Sequence, residues 1–266
     1  MMNEVGTSTT KTIEISNWII KVLNAVNRLQ EEMKQPVTKI RHARLLAVSI
    51  ILREFPDEEE RKLLNQWEKT SFRIFGLCRK DARTGVGDFV RLAREIHKKD
   101  LSPNDISESI RKIGAGYTID EASDQLWDAD CYTKWKDELR YLLYRYEEHL
   151  AEQRGESLSI QQWNQIWKES AVDSIEHILP QSKGSQYPSQ TSIFVHRLGN
   201  LLLLPPRLNS TLGGKDPEAK AEAYHGTRLH IAEEVAETIQ SDGWDKPEIT
   251  NREAEIIDWV LEEYNC

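Results

Sequence analysis

Four polar residues, Glu176, His177, Asn200 and Asn209, stand at the ends of apolar runs in the second half of the chain. Their types suit hydrolysis of a phosphodiester, which needs a base for water, a cation for the developing negative charge, and ligands to hold that cation. A histidine at a strand end can act as the base, because its unperturbed pKa is about 6.5. A carboxylate and an amide oxygen are hard ligands suited to Mg²⁺, which keeps several of its waters. Neighbouring residues of a regular strand point to opposite faces. Glu176 and His177 can therefore meet at one phosphate only across a kink or bulge, or if helix and loop wrap the strand end.

The elements that must place these groups are short. Residues 173–180 (Asp-Ser-Ile-Glu-His-Ile-Leu-Pro) are β-prone and stopped by proline, which predicts a strand carrying His177. A loop rich in Ser, Gly and Gln runs on to about residue 190. Residues 196–206 (His-Arg-Leu-Gly-Asn-Leu-Leu-Leu-Leu-Pro-Pro) predict a second strand, whose prolines also suit the first turn of a helix bearing Asn209. Leu201 to Leu204 read as core, and two helices, 217–225 and 251–264, are expected to close the chain.

Upstream, from Ile13 to Leu150, the chain reads as successive amphipathic helices. Ile19, Ile20, Val22, Leu23, Val26 and Leu29 recur at helical spacing. Pro56 followed by four acids marks one helix start, and Ser102-Pro103 marks another. Residues 135–150 predict a strong helix with Leu139, Leu142, Leu143 and Tyr146 on one side. The expected fold is mainly α: a flexible N-terminus at 1–12, a helical module at 13–165, and a compact strand–strand–helix unit at 166–266.

Composition narrows the class. Cys78, Cys131 and Cys266 stand far apart with no CxxC pair, which argues against both a disulfide framework and a zinc ribbon. The N-terminus lacks the charged-then-apolar order of a signal peptide, and four leucines are far too few to span a membrane. A cytoplasmic protein with no membrane partner is the expectation. The net charge of −9 argues against a surface coated in positive charge, yet a local basic face stays possible. Residues 69–99 hold such an excess, including Arg79, Lys80 and Arg83, against Asp81, Asp88 and Glu95. It reads equally as a footprint for a DNA backbone or as a solvated helix face with internal ion pairs. Arg140 and Arg145, among tyrosines, read as stacked and paired inside the helical module.

The runs Ser174-Ile175-Glu176-His177-Ile178-Leu179-Pro180-Gln181-Ser182, His196-Arg197-Leu198-Gly199-Asn200-Leu201 and Leu208-Asn209-Ser210 resemble the HNH (ββα-metal, His-Me finger) nucleases. More narrowly, they resemble the C-terminal nuclease domain of GmrSD-type, modification-dependent restriction endonucleases. That pattern has an acid–His pair, an Asn heading the second strand and an Asn or His nine residues on, the spacing of Asn200 and Asn209. Stretches 67–76, 81–88 and 139–147 are similar to the helical region ahead of that domain.

By this resemblance His177 is the general base, Glu176 and Asn209 hold Mg²⁺ (or Mn²⁺ in its place), and Asn200 orients the histidine-bearing loop. His196 falls on a position often held by His, and Lys215 or Lys220 is placed at the phosphate. The resemblance also has gaps. Neither a DGQQR-like motif nor a P-loop (GxxxxGK[ST]) occurs here, so a nucleotide-hydrolysing partner subunit or missing N-terminal domain is expected. The cysteine pairs that often hold a structural zinc are also absent, which leaves the helices to buttress the fold.

Plainer readings compete at each position. Asn209, after Pro-Pro, suits a helix cap. Asn200 suits a turn, Glu176 a solvent-facing strand acid, and a lone His a satisfied structural role. The function expected is a metal-dependent DNA endonuclease or nickase of a restriction system acting in phage defence. The alternative is a subunit that binds DNA or a partner, its HNH unit inactive without a nucleotide-hydrolysing partner. A weaker third reading is an RNA-cleaving toxin.

Overall fold

The computed structural model describes residues 2–31, 39–127, 130–167, 171–186 and 193–265. The far end of the expected Ser/Gly/Gln loop, residues 187–190, and Cys266 lie outside that set. The chain is mainly helical and forms two compact units, one reaching to Thr118 and one spanning Ile119–Asn265. The expected boundary at 165/166 differs from this division, and the reason lies in the packing of the long helix of the second unit, described below. No helix among the described residues is long and apolar enough to cross a membrane.

The first unit holds α1 (Met2–Glu31), α2 (Arg41–Ile51), α3 (Asp57–Phe72), α4 (Val86–Lys98) and α5 (Pro103–Gly114). Residues 2–12, expected to be flexible from their polarity, continue α1. The helix starts follow the sequence signals. Asp57, Glu58, Glu59 and Glu60 fill the first turn of α3 behind Pro56, facing the positive end of the helix dipole. Ser102 and Asp105 form a capping box that opens α5 with Pro103 in the first turn. Buried Leu46, Ala47 and Ile50 of α2 face α4, where Phe89, Leu92 and Ile96 are buried. Trp67 reaches from α3 to α2 and donates its indole N–H to the Ala43 carbonyl at 2.8 Å.

The second unit carries the site. It runs α6 (Ile119–Leu126), α7 (Cys131–Gln153), α8 (Ile160–Trp167), α9 (Ala171–Ser174), β1 (Ile175–His177), β2 (Leu201–Leu203), α10 (Pro206–Leu212), α11 (Pro217–His225), α12 (His230–Asp242) and α13 (Lys246–Glu263). Strands β1 and β2 pair antiparallel, with Glu176 opposite Leu202 and His177 opposite Leu201. Leu201 to Leu204 are fully buried, as their run of apolar types predicts. The second strand-like run is strand only at Leu201–Leu203, because Leu198–Asn200 tightens into a 3₁₀ turn just ahead of it. Three helices close the chain, not two. The extra one, α12, buries Ile231, Ala232, Val235, Ala236 and Ile239 at helical spacing, but no side-chain cap announces its start at Leu229.

Helix α7 explains where the units divide. Tyr141, Leu142, Leu143 and Tyr144 are all fully buried, so the middle turn of this helix is enclosed on every side within the second unit. It packs on β2 and on α12. Its Glu147, also fully buried, accepts the backbone N–H of His230 and of Ile231, each at 2.7 Å. These are first-turn donors of α12 that have no partner within their own helix. The carboxylate thus supplies from a neighbouring helix the cap that the α12 sequence lacks. Burial pushes its pKa up, and the two backbone donors oppose that shift. Glu147→Ala is expected to cost about 2–3 kcal/mol, since two buried donors lose a charged acceptor. Glu147→Gln, which keeps one acceptor oxygen, should cost less. Urea unfolding measures both, and equal stability of all three proteins would contradict this role.

Candidate functional site

Asn200 occupies the centre of the site region. It sits at the end of the 3₁₀ turn, fully buried, and its side-chain amide is saturated. Oδ1 accepts the Leu179 N–H at 2.8 Å and the Trp244 indole N–H at 3.2 Å. Nδ2 donates to the carbonyls of Leu179 at 3.1 Å and Val195 at 2.8 Å. An amide offers two acceptor sites and two donors, and all four are used. The Asn200 backbone carbonyl also takes the Ile178 N–H at 3.0 Å, which extends the β1–β2 pairing past His177.

The chain around Asn200 is held in turn by α13. Nη1 of Arg252 donates to the carbonyls of Gly199 at 2.7 Å and Leu201 at 2.9 Å. Arg197 pairs with buried Glu253, Nε lying 2.9 Å from Oε1. Gly199 is where helix and turn meet most closely, for a Cβ placed there would lie 1.9 Å from the Ile249 carbonyl oxygen. Only a residue without a side chain permits that approach.

His177 ends β1 and is almost wholly buried. Its Nε2 lies 3.0 Å from Nδ1 of His196. The Tyr132 ring, from the first turn of α7, meets His177 edge-on at 4.3 Å and lies nearly parallel to His196 at 5.6 Å. Burial, then the neighbouring His196 and Lys220, lower the His177 pKa to about 3. The imidazole is therefore neutral at neutral pH, the form a base requires.

Glu176 points the other way, as alternation along a regular strand demands. The carboxylate is buried against α11, 2.6 Å from the Lys220 ammonium and 3.1 Å from the Tyr224 hydroxyl, which donates to it. Lys220 and Tyr224 are four apart, so they share a face of that helix. Burial raises the Glu176 pKa against the pull of Lys220, and burial lowers that of Lys220 against the pull of Glu176. Nζ of Lys220 also donates to the carbonyls of His177 at 2.7 Å and Ile178 at 3.2 Å. All three ammonium donors are thereby committed inside the fold. Lys220, expected at a phosphate, is instead a fully buried brace beneath β1.

Asn209 lies within α10, whose N-cap is Pro205, so it does not cap the helix. Its Nδ2 donates across to the carbonyls of Asp173 at 2.8 Å and Ile175 at 3.1 Å, and its Oδ1 has no partner among the described residues. The structure thus gathers His177, His196 and Asn200 around one loop, ties Asn209 to the start of β1, and turns Glu176 away from His177. No group of three or more His, Cys, Asp or Glu that could hold a metal ion occurs among the described residues.

Lys215 is exposed in the turn after α10. Arg79, Lys80 and Arg83 belong to the first unit, in the segment between α3 and α4. The three acids of that basic span are all paired on the surface, Asp81 with Arg83, Asp88 with Arg91 and Glu95 with Lys99. Such exposed pairs contribute little to stability. Arg140 stacks 3.9 Å above the Trp167 ring and pairs with Asp137, the internal arrangement read from the sequence.

Sequence reasoning did not single out Tyr132, Trp244, Arg252 or Tyr224. Each lies tens of residues from the strand or turn it touches, and no spacing rule relates them. Lys220 and Tyr224, four apart on a helix, carried the one local signal, that of a shared face.

A family model described as GmrSD restriction endonucleases, C-terminal domain, matches residues 117–259, more than half of the chain. The match takes in β1, β2 and stretch 139–147 but not 67–76 or 81–88. No curated protein and no solved structure matches.

Two outcomes follow from this geometry. The unfolded chain takes up a proton at His177 below about pH 6.5, whereas the folded chain resists until about 3. Its contribution to stability is therefore complete above about 6.5 and is lost as pH falls towards the folded value. In an NMR titration the His177 ring should keep neutral-form shifts down to about pH 4.5, and a midpoint near the model-compound value of about 6.5 would contradict its burial. Separately, Gly199→Ala should lower stability by about 1–3 kcal/mol through forced separation of α13 from the turn. An unchanged urea midpoint would show that the helix can shift at no cost.

Proposed function

The chain belongs to the family of GmrSD restriction endonucleases, matched over their C-terminal domain, and on that premise we propose that it is a metal-dependent DNA endonuclease or nickase of the HNH type serving a restriction system against phage. In this reading β1, β2 and α10 form the ββα-metal unit, with His177 as general base. The observation that carries it is the Asn200 amide, which clamps Leu179 and Val195 and so orients the loop that follows His177. That is the part an HNH domain requires of the asparagine heading its second strand.

The chemistry assigned to the chain's own groups is short. Neutral His177 takes a proton from water, and the oxygen attacks phosphorus in line. The new O–P bond forms as the bond to the 3′-oxygen breaks, and the departing 3′-oxygen takes a proton from solvent. Lys215, exposed near α10, is available to the phosphate backbone, and Arg79, Lys80 and Arg83 are candidates for further DNA contact.

Mg²⁺, or Mn²⁺ in its place, belongs to the proposal through the motif resemblance. The expected ligand pair does not fit a cation as it stands. Asn209 leaves Oδ1 open, but the Glu176 carboxylate is committed to Lys220 and Tyr224. A strong ion pair in a buried site competes directly with metal binding.

That same ion pair favours a second reading. The nuclease unit is held inactive, and the chain acts as a DNA- or partner-binding subunit until a nucleotide-hydrolysing partner rearranges the cluster and releases Glu176.

Supercoiled-plasmid relaxation with Mg²⁺ or Mn²⁺, against an EDTA control, decides between the two. The nuclease reading expects metal-dependent nicking that falls by about 10²–10⁴-fold in His177→Ala. Equal activity of the two proteins would remove His177 as the base. Silence of both on modified and unmodified DNA, relieved by a co-expressed partner, would favour the second reading.

A further inference from the structure

The two histidines are brought together by the backbone, not by a chance meeting of side chains. Leu179, two residues past His177, and Val195, one residue before His196, are both bonded to the Asn200 amide. One buried side chain therefore sets the relative positions of the segments bearing both rings. The rings meet at 76° with Nε2 of His177 3.0 Å from Nδ1 of His196. Tyr132 closes one side, parallel to His196 and edge-on to His177. Tyr132 is itself placed by the N-cap of α7, where the Asp130 carboxylate accepts the Thr133 N–H at 3.2 Å.

In a hydrogen bond between two imidazole nitrogens one ring donates and the other accepts. The remaining nitrogens, Nδ1 of His177 and Nε2 of His196, have no hydrogen-bond partner among the described residues. If His196 donates, His177 carries its proton on Nδ1 and offers water no bare nitrogen. If His177 donates, its Nδ1 is bare, which is the form a general base needs, so the nuclease reading calls for the second arrangement.

We propose that His196 is a positioning residue for phosphodiester hydrolysis: its Nδ1 accepts the Nε2 proton of His177, so that His177 presents a bare Nδ1 to water while Tyr132 holds both rings in place. The assignment rests on the nuclease reading for its purpose, though its geometry does not depend on that reading. His196 touches no reacting atom. It acts by selecting the tautomer and the ring orientation of the base, as the hydrogen bond to one ring nitrogen generally does for the other.

The test uses the full chain labelled with [¹⁵N]histidine and long-range ¹H–¹⁵N correlation spectra, with the His177 signals assigned by their loss in His177→Ala. Wild-type His177 should show a protonated Nε2 and a bare Nδ1. His196→Phe keeps a ring beneath Tyr132 but removes the acceptor. It should lose that tautomer preference and lower kcat for plasmid nicking by roughly tenfold to a hundredfold, with KM unchanged. His196→Asn returns an acceptor oxygen near the Nδ1 position and should restore both readouts in large part. A proton on Nδ1 of wild-type His177 would overturn the proposal, as would His196→Phe keeping both the tautomer and kcat. The spectra are recorded without DNA or metal. A wild-type chain that never cleaves DNA would thus sink the nuclease reading, while the tautomer still decides the His196 assignment.

Discussion

The second unit depends on one buried amide with no hydrogen-bonding capacity left over. Asn200 is bonded to the backbone on both sides of the segment after β1 and to Trp244, and it is the only link of its kind between those parts among the described residues. Backbone groups at Leu179 and Val195 lie outside any regular ladder, so their donors and acceptors need partners of this sort or an exposed path to water. The amide offers two donors and two acceptors in a rigid plane, which matches a demand for two carbonyls and two N–H groups. A carboxylate, an alcohol or an apolar side chain would leave at least one of them unpaired.

Because that amide is held so closely, the rest of the unit is arranged to hold it. The C-terminal helix α13 approaches the turn at Gly199 and bonds its carbonyls through Arg252, while Arg197 and Glu253 add a part-buried ion pair. The enclosed helix α7 packs on β2 and caps α12 through Glu147. These helices do the work that a metal-bound loop could do elsewhere, in a unit whose described cysteines are Cys131 alone and buried. A two-stranded sheet of three residues per strand has little stability by itself, and it persists here because its leucines are buried on all sides.

Beneath β1, Lys220 binds Glu176 and the carbonyls of His177 and Ile178, with Tyr224 beside it. A buried ion pair of this kind contributes more to defining one geometry than to net stability, since desolvation offsets most of its Coulomb energy. Its effect is to fix the end of β1 from one face while His196 and Tyr132 hold the His177 ring from the other. The strand alternation that separates Glu176 from His177 is what makes this two-sided hold possible, and it is also what keeps the expected metal ligand away from the base.

Much of this chain was legible beforehand. Apolar periodicity and proline signals marked α1, α3, α5, α7, α11 and α13, the buried leucines of β2 and the short strand carrying His177. These features depend on neighbours within a few residues, where propensity, capping and alternation act directly. The motif residues also pointed to the family, because type and spacing along the chain are what a motif consists of. The extra helix α12 escaped notice because its cap, Glu147, lies more than eighty residues upstream. The placing of α7 in the same unit as the strands was equally invisible, since an enclosed helix and a solvated one can share a pattern on one face. Only the tertiary structure decided that Lys220 is a brace and not a phosphate contact, that Glu176 turns into a buried ion pair, and that Tyr132 and His196 flank His177. Each of those outcomes depends on which distant groups fill a side chain's last few ångströms of surroundings, and no rule of local sequence carries that information.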